Sequence, residues 1–461
     1  MEASTISQHR DLASVVDGAM MGPRRWAVVA LCFVIALLDG FDTQSIAFIG
    51  SSIADEFGLE TAELTWIITA STIGMCLGAM TLGSLSDRIG RRPTILLALT
   101  LFGVFSAVAS VAQTPEQIIV LRFLIGLGMG GATPAILALT AEYSSRERRG
   151  TFMTLVLLGL PGGALLGGLV AAAWLPAVGW RGIFLIGGII PLLLALVCLA
   201  LLPESPALLA AKGTDVAQQK VRALMSRYFG VESGPTVLFF SSEDRTVRRS
   251  GSVLALFSSR FRAVTIAVFS IYLLNWIAWY LLLLWMPTAL TTLGLAKSTA
   301  ALGTVTVNGA FILFALPLSV LLPRWNARTL LLSMFVCGIA ISIGLGLAGS
   351  HFALVFLLIG LAGFGIGGQQ LALNYLIANA YPAQLRATAT GWGIGIGRLG
   401  TIFGSALGGV ILSGLGVSGY FMFLAIPLAL AGAATLLVKK DQGAAATSSS
   451  ALVGSKQLVH E

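Results

Sequence analysis

The reading of this chain turns on Gly83-Ser84-Leu85-Ser86-Asp87-Arg88-Ile89-Gly90-Arg91-Arg92. The stretch sets one acid, three arginines and two glycines as a short polar island between two long apolar runs. Arginines at such a junction anchor helix ends at the cytoplasmic rim of a membrane. That accounts for the arginines but not for the acid or the glycines. Gly83 lets helices approach closely, Asp87 suits the positive N-terminus of a neighbouring helix, and the arginines suit carboxylates at the rim. Glu142, at the end of a later apolar run, is the expected partner for Arg91 or Arg92.

Working outward, 56% of the 461 residues are hydrophobic and 10% are charged, a balance that no single soluble core of this size accommodates. Twelve uncharged apolar stretches are each long enough, at about twenty residues, to cross about 30 Å of hydrocarbon. They begin near Arg25, Leu64, Pro93, Gln117, Thr151, Gly182, Ala263, Thr299, Arg328, Phe352, Ala387 and Val417. Backbone polar groups in lipid must be satisfied within the segment, and runs this long are helices rather than barrel strands. The net charge of +8 is concentrated in the two tails and the even-to-odd loops. The first external loop carries Asp55, Glu56, Glu60 and Glu63 without a base, and Arg181 and Lys297 alone stand in external segments. The basic excess is therefore a topology signal that places both termini in the cytoplasm, and nucleic acid is excluded as a partner. Cys32, Cys76, Cys198 and Cys337 lie inside apolar runs, so no disulfide framework is expected. No apolar leader precedes the first run, which predicts an uncleaved first helix.

The expected organisation is an all-α membrane protein of twelve transmembrane helices in two pseudo-symmetric six-helix halves. Residues 1–24 form a cytoplasmic tail, 25–202 the first bundle, 203–262 a central cytoplasmic loop, 263–438 the second bundle and 439–461 a disordered cytoplasmic tail. Between Pro203 and Arg262 nine Lys or Arg stand with five acids, which reads as a tether with short surface helices, one of them from Asp215 to Phe229. The halves repeat: Gly126-Leu127-Gly128-Met129-Gly130-Gly131 recurs as Gly363-Phe364-Gly365-Ile366-Gly367-Gly368, and Gly167-Gly168 as Gly408-Gly409. Duplicated units of this kind form a central transport site. The Gly83 to Arg92 island resembles the signature loop of the major facilitator superfamily, which implies that fold and a gating role for Gly83, Asp87, Arg88, Gly90, Arg91, Arg92 and Glu142. In the second half Pro323 stands where the loop's Asp belongs, so the expected gate is asymmetric.

Ionisable residues inside apolar runs are functional candidates, because a charge at mid-bilayer costs at least about 2.5 kcal/mol. A structural ion pair orienting helices is the rival account. Asp39 and Asp42 share a helix face by their i, i+3 spacing, and two carboxylates in a poorly solvated site cannot both ionise comfortably. One therefore holds a proton, and Arg122, at similar depth, is the expected partner that opens on protonation. Arg398, nearer mid-helix among glycines, offers a planar fork to a carboxylate. Two Asp, two Arg, one proton and one monoanion sum to neutrality. Asn275, Trp276, Trp279 and Tyr280, with Gln369, Gln370 and Asn374, lie too deep for an interfacial belt and are candidate pocket groups.

Asp39-Gly40-Phe41-Asp42, Pro203-Glu204-Ser205-Pro206, Tyr381-Pro382, Arg386-Ala387-Thr388 and Gly397-Arg398, taken with the loop, resemble the aromatic acid:proton symporters across nearly the whole chain. The resemblance implies inward, proton-coupled transport of benzoate-like carboxylates by a monomer in a bacterial inner membrane, without a cofactor. It implies proton-coupling by Asp39, Asp42 and Arg122, substrate binding by Arg398 and Gln370, and a role for Arg386 with Glu142 at the gate, while Asn374, Asn275 and Trp279 join the expected substrate site by their mid-helix depth alone. The rival reading is a proton-coupled efflux antiporter for drugs or metabolites. An enzyme is disfavoured: His9 and His460 lie in tails and His351 at a loop edge, and there is neither a His-Glu-x-x-His pair nor a Walker loop.

Overall fold

The computed structural model describes residues 9–232, 234, 237–240, 253–321, 325–381 and 383–438. The Pro323 departure and the tail from 439 lie outside the described residues. The chain divides into two compact units, residues 1–58 with 66–248 and residues 59–65 with 249–461.

The first unit holds α2 (Pro23–Phe57), α3 (Thr61–Ile89), whose first turn groups with the other unit, α4 (Arg91–Ala109), α5 (Pro115–Glu142), α6 (Arg149–Leu157) and α7 (Gly159–Leu201). Before them stand β1 (His9–Asp11) and α1 (Leu12–Gly18), and after them α8 (Pro206–Lys212), α9 (Asp215–Phe229) and β2 (Leu238–Phe240). The second unit comprises α10 (Val253–Leu256), α11 (Arg262–Thr292), α12 (Lys297–Leu321), α13 (Ala327–Leu347), α14 (Phe352–Ala362), a π-helical turn (Gly363–Gly367), α15 (Gln369–Ala380), α16 (Ala383–Phe423) and α17 (Ala425–Leu436).

Ten helical runs among the described residues are long and apolar enough to cross a membrane. Two of them, Arg149–Leu201 with 53 residues and Thr388–Leu436 with 49, are about twice too long for one crossing at about 1.5 Å per residue. Each is broken once at a glycine, Gly179 at φ 65, ψ −177 and Gly416 at φ 66, ψ −177. That conformation is open to glycine and strained for other residues, so the chain turns there. The two breaks stand at the same offset as the Gly126 and Gly363 runs. Twelve crossings in two repeated halves follow.

Small residues bring the helices together. A Cβ added to Gly40 would meet the Leu160 carbonyl carbon at 2.6 Å, and one on Gly163 the carbonyl carbon of Leu37 at 2.7 Å, so α2 and α7 touch backbone to backbone. In the second unit Gly404 lies on α11, where an added Cβ would meet the Ile277 carbonyl oxygen at 2.6 Å.

The polar segments are more structured than a tether and a tail. β1 pairs with β2 in parallel, His9 opposite Leu238 and Asp11 opposite Phe240, the one sheet in an otherwise helical chain among the described residues. The Asp215–Phe229 helix, α9, buries Val221, Met225 and Phe229 against the first unit. Arg25, 1% exposed, binds this layer together: its Nε donates to the Tyr143 carbonyl at 2.9 Å and its Nη1 to the Ala19 carbonyl at 2.9 Å, and its guanidinium lies over the Phe229 ring. One buried cation thereby satisfies carbonyls left over at the ends of α1 and α5.

Candidate functional site

In the first unit Asp39 and Asp42 are 2% and 3% exposed on α2, and Arg122 on α5 is fully buried. Arg122 Nη1 donates to Asp42 Oδ1 at 2.9 Å. Asp39 takes a different partner: the Thr133 hydroxyl donates to its Oδ2 at 2.8 Å, and Thr43 lies 3.5 Å from its Oδ1. α5 thus offers the two carboxylates different groups, a guanidinium to Asp42 and a hydroxyl to Asp39. Arg122 Cζ also lies 6.0 Å from the Phe184 ring centroid, while its Nε and Nη2 make no hydrogen bond with a described residue. That edge of the guanidinium is buried and unsatisfied among the described residues. Thr133 and Phe184 carry no sequence signal beyond ordinary helix composition, and only the packing identifies them.

The second unit carries a different set. Asn275, 2% exposed, donates to Gln369 Oε1 at 2.5 Å and to the Ile366 carbonyl at 3.4 Å, and Gln369 donates back to the Gly365 carbonyl and to that of Met334. These two amides are spent on each other, on carbonyls of the π-helical turn and on one of α13. Trp279 packs on the same turn, its ring against Gly367 and 5.9 Å from that of Phe311. Gln370 and Asn374 point elsewhere. Trp276 Nε1 donates to Gln370 Oε1 at 2.5 Å, Gln370 Nε2 to Asn374 Oδ1 at 3.4 Å, and the Tyr272 hydroxyl also donates to Asn374 Oδ1. Arg398, half-buried on α16, makes no hydrogen bond or ion pair with a described residue, and its guanidinium stands 5.7 Å from the Trp276 ring centroid. Gly397 lets that indole lie against α16, since an added Cβ would meet it at 3.1 Å. Tyr272, absent from the sequence candidates, is a fully buried member of this network.

The offset between the repeats carries Asp39 to Trp276 and Thr133 to Gln370. Both pairs are hydrogen bonded, Thr133 to Asp39 and Trp276 to Gln370. The same helix junction is thus wired in both units, with a carboxylate in the first and an aromatic amide pair in the second.

At the polar island Asp87 and Arg91 form an i, i+4 ion pair, and Arg91 Nε lies 3.6 Å from Glu142 Oε1. Arg92 turns to the Leu199 carbonyl instead, and Arg88 is exposed. Glu142 accepts from the Ser205 hydroxyl. The organising residue is Glu204, whose Oε1 accepts from the backbone N–H groups of Arg91 at 2.8 Å, Arg92 at 3.3 Å and Ser205 at 2.8 Å. Its carboxylate caps the positive end of α4, the place expected for an acid. Gly90 is required there: its φ is 125, and a Cβ would collide with that carboxylate. Gly83 lies against Pro134, 3.2 Å from an added Cβ. Burial, then the Tyr228 phenol and the Glu142 and Glu204 carboxylates, hold the Tyr143 phenol well above its ordinary value, so it serves as a neutral donor to the Glu204 carbonyl at 2.9 Å. The Arg386 side chain lies outside the described residues.

The family model of the Major Facilitator Superfamily matches residues 32–269 and, a second time, residues 268–459. The chain belongs to the major facilitator superfamily. Within the superfamily it is 33% identical over 429 residues to a gallate transporter of Pseudomonas putida, covering 92% of this chain and 94% of that one. It is 32% identical to the 4-hydroxybenzoate transporter PcaK of Pseudomonas aeruginosa, covering 93% and 95%, and 28% identical to a 3-(3-hydroxy-phenyl)propionate transporter of Escherichia coli, covering 90% and 94%. Among solved structures a D-xylose-proton symporter shares the fold, with a TM-score of 0.69 at 20% identity over 91% of this chain and 99% of that one. This major facilitator protein is a multi-pass membrane transporter.

Proposed function

We propose that this transporter carries small aromatic carboxylates inward together with protons, across a bacterial inner membrane with both termini in the cytoplasm, as a monomer. The observation that carries the substrate is Arg398: a guanidinium inside an apolar helix that no acid among the described residues neutralises and that lies on an indole face. A fork for a carboxylate beside an aromatic surface is what an aromatic acid requires. The names of the relatives, transporters of gallate, 4-hydroxybenzoate and a hydroxyphenylpropionate, support the same chemistry. Gln370, Asn374 and the Trp276 indole complete the ligand set, while Asn275 and Trp279 hold the π-helical turn that positions them.

Coupling resides in the first unit. Protonation of Asp42 releases Arg122 from a buried ion pair, and Asp39, held by a hydroxyl, is the second carboxyl of the relay. The Asp87–Arg91–Glu142 cluster, seated on Glu204, acts as a cytoplasmic latch.

The test is uptake of radiolabelled 4-hydroxybenzoate by proteoliposomes under an imposed proton gradient. Accumulation that rises as the outer pH falls below the inner pH, and collapses with a protonophore, is expected. Uptake indifferent to the protonophore overturns the coupling, and expulsion of the acid under the same gradient overturns the direction.

A further inference from the structure

We infer that a hydrogen-bond relay headed by Trp276 fixes Asn374 as an outward donor, so that the site selects aromatic acids whose ring carries an oxygen able to accept a hydrogen bond. This rests on the proposed aromatic-carboxylate reading and assigns the other end of the ligand.

The argument begins with a group that has no choice. An indole N–H only donates, so the amide oxygen of Gln370 must face Trp276, and at 2.5 Å it does. The amide is planar, so Gln370 Nε2 is then directed away from the indole, where it donates to Asn374 Oδ1 at 3.4 Å. The Tyr272 hydroxyl donates to the same oxygen. Both lone pairs of Asn374 Oδ1 are thereby used, and its Nδ2 is left with two hydrogens and no hydrogen bond to a described residue. Asn374 is exposed, whereas Tyr272 is fully buried and Gln370 is half-buried.

Amide orientations are ordinarily interchangeable, but this one is not. Turning the Asn374 amide over would set its N–H groups against the Gln370 N–H, and turning both would set the Gln370 N–H against the indole. Either reversal leaves a donor facing a donor and forfeits a net hydrogen bond. The sign of the recognition is therefore written by Trp276 and transmitted through Gln370. Tyr272 is a positioning residue, acting through Asn374.

The same indole carries Arg398 on its face at 5.7 Å. A carboxylate on Arg398 and a ring substituent on Asn374 are thus recognised by groups that share one support. The substituent that suits a donor is a hydroxyl or alkoxy oxygen, and an amino group does not suit it.

Binding of benzoate, 4-methoxybenzoate and 4-aminobenzoate to the purified full chain, measured by calorimetry, tests the inference. The methoxy oxygen accepts and cannot donate, so 4-methoxybenzoate is expected to bind about tenfold more tightly than benzoate, the size of one net hydrogen bond, and 4-aminobenzoate no more tightly than benzoate. In Asn374→Leu the two should bind alike, and in Tyr272→Phe the methoxy advantage should shrink severalfold while keeping its sign. Equal wild-type affinity for benzoate and 4-methoxybenzoate, or a preference for the amino compound, overturns the inference whether or not the variants fold. If benzoate binds and the order fails, only this inference falls. If no aromatic carboxylate binds, the proposed function falls with it.

Discussion

Arg122 is wholly buried and holds Asp42 at 2.9 Å, whereas Arg398 rests on an indole with no acid partner among the described residues. Removing one partner of a buried pair strands the other charge, at a cost of about 3–5 kcal/mol. Arg122→Ala should therefore unfold at markedly lower temperature in detergent, and Asp42→Asn combined with Arg122→Gln should recover much of the loss. An additive double variant would show that the pair is not the source. Among the described residues Arg398 has no such partner to strand. Arg398→Ala should keep stability within about 0.5 kcal/mol of the parent. Its affinity for an aromatic carboxylate should fall by about 2–5 kcal/mol, with Arg398→Lys between the two, since a lysine keeps the charge and loses the planar fork. Calorimetry and thermal unfolding on the same samples separate these effects. A collapse in stability without a selective loss of carboxylate binding would mark Arg398 as structural.

Between helices the deciding contacts are made by absent side chains and by one cap. Gly40 lies on the Leu160 backbone, so Gly40→Ala must push α2 from α7 and should cost about 1–3 kcal/mol, as overpacking does. Gly414 has nothing within 4 Å of an added Cβ, so Gly414→Ala should change stability little and serves as the control. Equal unfolding temperatures for the two would remove the close crossing as a source of stability. Glu204→Ala removes the carboxylate from two backbone N–H groups at the start of α4 and from that of Ser205, and should cost about 0.5–2 kcal/mol, the usual worth of a cap. The Pro203-Glu204-Ser205-Pro206 string is visible in the chain, yet nothing in its local composition says which helix Glu204 caps. The two partners, Arg91 and Arg92, lie 113 and 112 residues away.

For the molecule as a whole, coupling is the property to test. Asp39→Asn and Asp42→Asn cannot cycle a proton, so each should lose accumulation against a gradient while retaining exchange of labelled for unlabelled substrate across the vesicle membrane. Wild-type accumulation by both would take the carboxylates out of the mechanism. The twelve apolar runs, the duplication of the Gly126 run at Gly363 and the buried charges were legible in the linear chain. Each depends on a local quantity: transfer free energy summed along a segment, glycine spacing, or the cost of one charge in hydrocarbon. Hydrogen-bond partnership is not local in this way. Which Asp would take Arg122, and whether Asn275 or Asn374 would face a ligand, depends on helix rotation, and each residue along a helix turns its side chain by about 100°. Asp42 and Arg122 are 80 residues apart, and Trp276 and Gln370 are 94. Only the packing of α2 on α5, and of α11 on α15 with its π-helical turn, could bring the first pair together as a charge lock and the second as the head of a relay, because each bond exists at one rotation of two helices and at no other.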